Sequence, residues 1–309
     1  MAHVVVVGSI NMDLVVRTHH MPVPGETVLG SDLEMVSGGK GGNQVVAAAR
    51  LAAPGTRVSF VGCVGDDAFS ERLRAGLLAD GINCDNLLTL PGVASGTALI
   101  VLDENGQNCI VVSPGANHRL TPDHVRTAWA RLGKVDALIM PFEIPFDTIA
   151  TAAALAAADG VPVIFNPAPA PREPLPAVFM KHLDVIIPNE SETRALTQVD
   201  VSTQPNQAEA AAKNLVALGP RRAIVTLGAA GALAYENGTA TMIPSHKVQV
   251  VDTVAAGDCF VGAVAVRLVE GATLAEAARF GNAASAISVT RPGAQPSLPK
   301  RDEVLTKLG

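Results

Sequence analysis

The chain has 309 residues, 48% apolar, 3% aromatic and 17% charged, with a formal charge of −6, a globular composition long enough to bury one large core. The acidic balance argues against a nucleic-acid partner, and one Trp and one Tyr leave little surface for stacking on bases. Cys63, Cys84, Cys109 and Cys259 form neither a CxxC pair nor a metal-finger spacing, and Met1 leads straight to Val4 with no basic leader or long apolar span, so a reduced, cytoplasmic protein without a membrane partner is expected.

Val4 to Gly8 is a β-branched run ending in Gly, as expected of a strand buried on both faces of a parallel sheet. Asn11 and Asp13 follow where ligands sit in open α/β sheets, beyond a strand's carboxyl end. An amide and a carboxylate two residues apart suit adjacent hydroxyls, although both are also ordinary turn formers. Leu14 to Thr18 and Val28 to Val36 flank a Pro-Gly loop, and Leu99 to Leu102 and Cys109 to Val112 flank the turn at Asp103 to Gly106. Strand-like pieces without an intervening helix predict a small second sheet. Its segments, approximately 11–36 and 96–113, are read as inserted within a single 1–309 domain, and its apolar face needs a cover, as a lid or a homodimer interface.

Gly39-Lys40-Gly41-Gly42-Asn43 precedes an Ala-rich helix predicted over Gln44 to Ala53. A Walker loop fails, because Lys40 is followed by Gly41 and the earlier Gly is absent, and a dinucleotide fingerprint fails because it does not follow the first strand. What remains is a glycine-rich approach that lets backbone meet a compact ligand.

From Arg57 the βα rhythm is regular: strand Val58 to Gly62, helix Phe69 to Ala79, helix Pro122 to Leu132, strand Val135 to Met140, helix Phe146 to Ala158 and strand Val161 to Phe165. Strand Asp184 to Ile187, helices Glu190 to Leu196 and Gln207 to Leu218, and strands Ala223 to Leu227 and Ala232 to Tyr235 continue it, which predicts a parallel sheet covered by helices. Glu143, Asn166, Asn189 with Glu192, and Thr226 to Gly231 fall just past predicted strand ends. Singly they read as caps or turns.

The apolar run Val248 to Val251 predicts a strand that stops at Asp252, and a helix is expected from Cys259 to Glu270. Between them Ala255, Ala256 and Gly257 have almost no side-chain bulk, so an anion could approach N–H groups at a helix's positive end. Asp258 sits in that first turn. Bound phosphate would repel it, which suits a proton acceptor; a plain helix cap is an equally good reading of this stretch alone.

Taken together, Gly39 to Asn43, Asp252 to Asp258, Gly8 to Asp13, Asn166-Pro-Ala-Pro-Ala, Pro188-Asn189-Glu190, Thr226-Leu-Gly and Thr290 to Ser297 resemble the ordered signatures of the ribokinase family of carbohydrate kinases. The resemblance covers essentially the whole chain. It implies an α/β, ribokinase-like three-layer fold, with a mostly parallel central sheet flanked by helices and a small β-sheet lid, and ATP-dependent phosphorylation of a sugar's 5-hydroxyl. By the same resemblance Asn11, Asp13, Gly39, Lys40, Gly41, Gly42, Asn43 and Glu143 hold the sugar. Asp258 is the base, and the N–H groups of Ala255, Ala256 and Gly257 are the anion hole. Asn189, Thr226, Leu227, Gly228, Ala229, Ala230, Gly231, Gly257 and Asn282 line the nucleotide site, with Asn189 and Glu192 near Mg2+ through water. Asp252, Val254, Ser288, Arg291, Gly293 and Ser297 surround K+. Asn282 stands where the family often has His, and Cys259 replaces a common Thr. The adjacent-hydroxyl pair favours ribose over deoxyribose, and the low aromatic content weakens a nucleoside. Fructose as the substrate, and a non-catalytic sugar sensor as the role, stay open.

Overall fold

The computed structural model describes residues 1–202 and 205–309. In chain order its elements are β1 His3–Val7, β2 Asn11–Arg17, β3 Glu34–Gly38, α1 Lys40–Leu51, β4 Arg57–Gly65, α2 Ala68–Ala79, β5 Asn83–Leu90, β6 Gly96–Leu102 and β7 Asn108–Ser113. Then come α3 Pro122–Leu132, β8 Ala137–Pro141, α4 Phe146–Ala158, β9 Val163–Asn166, α5 Ala177–Met180, β10 Val185–Ile186, α6 Glu190–Thr197 and α7 Ala208–Ala217. β11 Arg222–Thr226, β12 Ala232–Glu236, β13 Thr239–Ile243, α8 Ala256–Val269, α9 Leu274–Ser288 and α10 Arg301–Leu308 complete it.

The large sheet runs β13-β12-β11-β10-β9-β8-β1-β4-β5. It is parallel from β11 to β5, and β12 and β13 turn back antiparallel. β1 shows why two helix layers are needed. Successive side chains leave a strand on opposite faces, so Val4 and Val6 join a core with Val46 of α1, Val264 of α8 and Ala277 of α9, while Val5 and Val7 join another with Val125 of α3, Ile149 of α4 and Leu215 of α7. The sheet is therefore a wall between two apolar layers, and polar residues collect beyond its strand ends.

The second sheet runs β3-β2-β6-β7. Val28 to Val36 is not one strand: only Glu34–Gly38 pairs, against β2 from Asn11 to Val15. The register places Asp13 beside Ala98 and, one residue on, Leu14 beside Leu99, so their side chains leave opposite faces. Met35, Leu99 and Val111 share the Leu14 face and are 39%, 51% and 60% exposed.

Two other expectations change. Val248 to Val251 forms no strand; among the described residues no neighbour pairs with it, and Val250 and Val251 stand 58% and 60% exposed, with the N–H groups of Val251 and Asp252 bonding to the Val289 carbonyl instead. Helix α1 begins at Lys40, four residues before the expected Gln44, because Gly39 takes φ 80° and turns the chain directly into helix. The two intervening glycines are thus inside the first turn. Among the described residues no helix is long and apolar enough to cross a membrane.

Candidate active site

The first turns of α1 and α8 meet beyond the carboxyl ends of β1, β8 and β9. Their approach depends on Gly262, one turn along α8 from Asp258: a Cβ there would lie 2.7 Å from the Ala47 side chain and 2.9 Å from the Gln44 carbonyl. With the helices this close, Asn43 Nδ2 donates to Asp258 Oδ2 at 2.9 Å and Gln44 Nε2 donates to Asp258 Oδ1 at 3.0 Å. Gln44 Nε2 also reaches Asn166 Oδ1 at 3.1 Å, and Asn166 donates to the Ile187 carbonyl at 2.8 Å. The Asp258 carboxylate is thus held at both oxygens.

Glu143, in the loop after β8, closes the other side. Its Oε2 accepts from Ser9 Oγ at 2.6 Å and from the Lys40 N–H at 3.0 Å, and the Ser9 carbonyl accepts from the Gly42 N–H at 2.8 Å. Asn11 is buried and linked through Asn117, whose Nδ2 donates to Asn11 Oδ1 at 2.8 Å. Asp13 is 8% exposed, and among the described residues nothing donates to its carboxylate. It is an acceptor with no donor.

The electrostatics follow from burying several carboxylates around one ammonium. Burial, then the charges of Glu143 and Asp258, push Asp13 up to about 7. Burial raises Asp258 above the usual carboxylate range, with Glu143 adding to it and Lys40, Asn43 and Gln44 opposing. Burial alone would lower the Lys40 ammonium, but Asp258, Glu143 and Glu192 outweigh it and raise it. Such a site takes up protons readily and favours a hydroxyl donor.

Helix α8 has no side-chain cap. Ala255 takes the left-handed conformation, φ 60°, the Ala256 N–H reaches the Thr253 carbonyl only at 3.3 Å, and Gly257 has open space where a Cβ would stand. Cys259 behind it is fully buried, and burial pushes its thiol up, which leaves it an inert core group.

Of the expected nucleotide residues, Ala229, Gly231 and Asn282 gather around Ile243 to Ser245. Gly228, Ala229 and Ala230 form an exposed turn after Thr226 and Leu227; Leu227 N–H donates to the Gly231 carbonyl at 2.8 Å, and Ser245 Oγ to the Ala229 carbonyl. Asn282 Nδ2 donates to the carbonyls of Ile243 and Pro244 at 3.1 and 3.2 Å. Its NH2 group is committed to main chain, so only its carbonyl oxygen is left for a ligand. None of these residues bonds directly to the Asp258 network.

Asn189 and Glu192 form a reciprocal cap on α6: Glu192 accepts from the Asn189 N–H at 2.9 Å and Nδ2 at 2.8 Å, and Asn189 Oδ1 accepts from the Glu192 N–H at 2.9 Å. The capping reading of these two is correct, and with each of their side-chain oxygens already accepting a hydrogen bond the pair fits Mg2+ held through water. Asp252 bridges two loops, accepting from Val254 N–H at 3.0 Å and Gly293 N–H at 2.9 Å. Ser288 Oγ and Ser297 Oγ lie 2.8 Å apart, Arg291 N–H donates to the Ser288 carbonyl at 3.0 Å, and the Arg291 guanidinium is turned away to Glu303. This oxygen-rich set of carboxylate, hydroxyls and loop carbonyls fits a hard monovalent cation.

Sequence reasoning gave no site role to Ser9, Gln44, Asn117 or Asn166; Gln44 and Asn166 belong to the Asp258 network, Ser9 bonds to Glu143, and Asn117 bonds to Asn11. Gln44 offered a signal, a polar side chain at the head of a Val- and Ala-rich helix.

The sequence profile of the pfkB family carbohydrate kinases matches residues 1–301. The chain belongs to that family. Within it, the ribokinase of Schizosaccharomyces pombe is 40% identical over 98% of this chain and 97% of its own. The crystal structure of ribokinase from Thermotoga maritima superposes with a TM-score of 0.88 at 38% identity, covering 100% of this chain and 99% of that one. An Arabidopsis thaliana ribokinase complexed with ribose and ATP superposes with a TM-score of 0.88 at 32% identity, covering 100% and 99%. The pfkB fold thus accounts for both sheets.

Proposed function

We propose that this chain transfers the γ-phosphoryl group of ATP to the 5-hydroxyl of D-ribose, giving ribose 5-phosphate and ADP. The observation that carries the reading is a buried carboxylate, Asp258, oriented at both oxygens beside an uncapped helix N-terminus. Asn11, Asp13, the Gly39 to Asn43 turn and Glu143 bind and orient the sugar, and Asp258 accepts the proton of the attacking hydroxyl. The N–H groups of Ala255, Ala256 and Gly257 stabilise charge on the transferring group, which leaves positioning and electrostatics as the main work of the site. The turn Thr226 to Gly231 and the Asn282 carbonyl oxygen border the nucleotide.

Mg2+, held through water near Asn189 and Glu192, would neutralise phosphate charge. K+, among Asp252, Val254, Ser288, Arg291, Gly293 and Ser297, would support the loop from which α8 starts. We read the chain as one catalytic unit with the small sheet inserted as a lid. The exposed row Met35, Leu99 and Val111 supports a homodimer through that lid. Four free cysteines and use of ATP support a cytoplasmic location.

Asp13, a buried acceptor without a donor, favours a sugar with two adjacent hydroxyls. The test is ADP release over ribose, deoxyribose, fructose and a nucleoside, in K+ or Na+. Ribose should give the highest kcat/KM and K+ should stimulate. Preference for another sugar removes the ribose assignment, and sugar binding without ADP release would make the chain a sensor.

A further inference from the structure

We infer that Asn117 is the positioning residue that aims Asn11 at the sugar and ties sugar reading to the root of the lid; the inference rests on the sugar-kinase reading above. Asn117 lies in the short turn Gly115–Arg119, directly after β7 brings the chain back from the small sheet, and it is 2% exposed. Its orientation is fixed by backbone. The Ile10 N–H donates to its Oδ1 at 2.9 Å, and its Nδ2 donates to the Ile10 carbonyl at 3.1 Å. Because an N–H must meet oxygen and a carbonyl must meet NH2, the amide cannot be reversed without losing both bonds.

That fixed amide dictates the next one. Asn117 Nδ2 also donates to Asn11 Oδ1 at 2.8 Å, so Asn11 presents its oxygen to Asn117 and turns its NH2 group elsewhere. Among the described residues that NH2 group has no protein acceptor. Asp13 lies two residues along β2, on the same face, as an acceptor without a donor. The pair therefore offers one donor and one acceptor, the set that reads a hydroxyl pair in a single sense. A reversed Asn11 would put two acceptors side by side and remove the donor of the pair.

The contact sits at the hinge. β6 begins at Gly96, where a Cβ would stand 2.1 Å from Asn117 Nδ2 and 2.3 Å from Asn11 Oδ1, so this lid residue must be Gly for the two amides to meet. The Ala116 N–H donates to the Ala94 carbonyl at 2.8 Å, joining the outgoing and returning chains of the lid. A shift of the lid root would move Asn117 and release Asn11.

The test uses steady-state kinetics on the full chain with Asn117→Asp, Asn11→Asp and the double variant. Asn117→Asp keeps the acceptor for Ile10 and removes both donors; Asn11→Asp keeps the bond to Asn117 and replaces the outward NH2 by oxygen. Each should raise the ribose KM by about tenfold or more, with kcat and the ATP KM within about threefold of wild type, and the double variant, which sets two carboxylates against each other at the Asn117–Asn11 contact, should be worse than the sum of the two. A merely structural Asn117 would lower thermal stability and leave the ribose KM unchanged. An unchanged ribose KM in folded Asn117→Asp, an unchanged ribose KM in Asn11→Asp, or additive effects in the double variant each overturns the inference. Wild-type protein that releases no ADP with ribose would instead overturn the functional reading beneath it.

Discussion

Helices α1 and α8 start alike and end up doing opposite things. Both follow a residue with positive φ, Gly39 and Ala255, and neither has a side-chain cap, whereas α2, α3, α6 and α9 are capped by Asp67, Thr121, Asn189 and Thr273. At α1 the first-turn donors are taken by the protein: Lys40 N–H by Glu143, Gly41 N–H by Ser9 Oγ at 3.4 Å and Gly42 N–H by the Ser9 carbonyl. At α8 only Ala256 has a partner, a long one, and among the described residues the N–H groups of Gly257 and Asp258 have none. A helix start filled by a carboxylate is a fixed platform. One left open has N–H groups free for an anion.

The largest test of this contrast is Asp258→Asn, which keeps the size of the side chain and removes the proton acceptor. Turnover should fall by roughly 10² or more while folding and ATP binding persist; near-normal turnover would reduce Asp258 to a residue of the helix start. Next is Glu143→Gln, which takes the negative charge off the α1 terminus. The ribose KM should rise by about tenfold, with a smaller effect on the ATP KM, and an unchanged ribose KM would mean the platform does not need its anion.

Asp13→Asn addresses the charge gathered between the two helices. Asp13 is raised from 3.8 to about 7 in the folded chain, so the folded state holds its proton more tightly than the unfolded state does. The associated stability is fully present below pH 3.8 and is lost as pH rises through 7. The substitution should therefore raise Tm at pH 8 and leave it nearly unchanged at pH 4, while weakening ribose binding. Equal shifts at both pH values would contradict the assignment. The smallest effect belongs to Ala255→Gly, which relieves a left-handed Ala worth about 1 kcal/mol. Tm should rise by about 1–2 °C with turnover within about twofold, and a collapse in turnover would show that the cradle needs that methyl.

How much of this was legible follows the same divide. β1, with five consecutive buried residues, and the βα rhythm after it were readable because a strand covered on both faces is apolar throughout. Val248 to Val251 misled for the same reason: an apolar run signals a strand only where a neighbour exists to pair with it, and among the described residues none does. β5, with the mixed sequence Asn-Cys-Asp-Asn-Leu-Leu-Thr-Leu, and the short edge strand β13 carried too little pattern to be seen. Within the site, Asn43 and Asp258 were legible as residue types at helix starts. Their bond was not, because it depends on Gly262 letting two helices, 215 residues apart at that contact, approach closely. Asn117 was invisible for a similar reason, since its partners Ile10 and Asn11 lie more than a hundred residues away.

The most direct test of the contrast is a structure of the protein with ribose, ADP and a planar metal fluoride standing in for the transferring phosphoryl group. The account predicts the fluoride within hydrogen-bonding distance of the N–H groups that open α8, the ribose 5-hydroxyl on Asp258, and the α1 start still closed by Glu143 and Ser9. A fluoride seated on the first turn of α1, or a 5-hydroxyl directed away from Asp258, would contradict it.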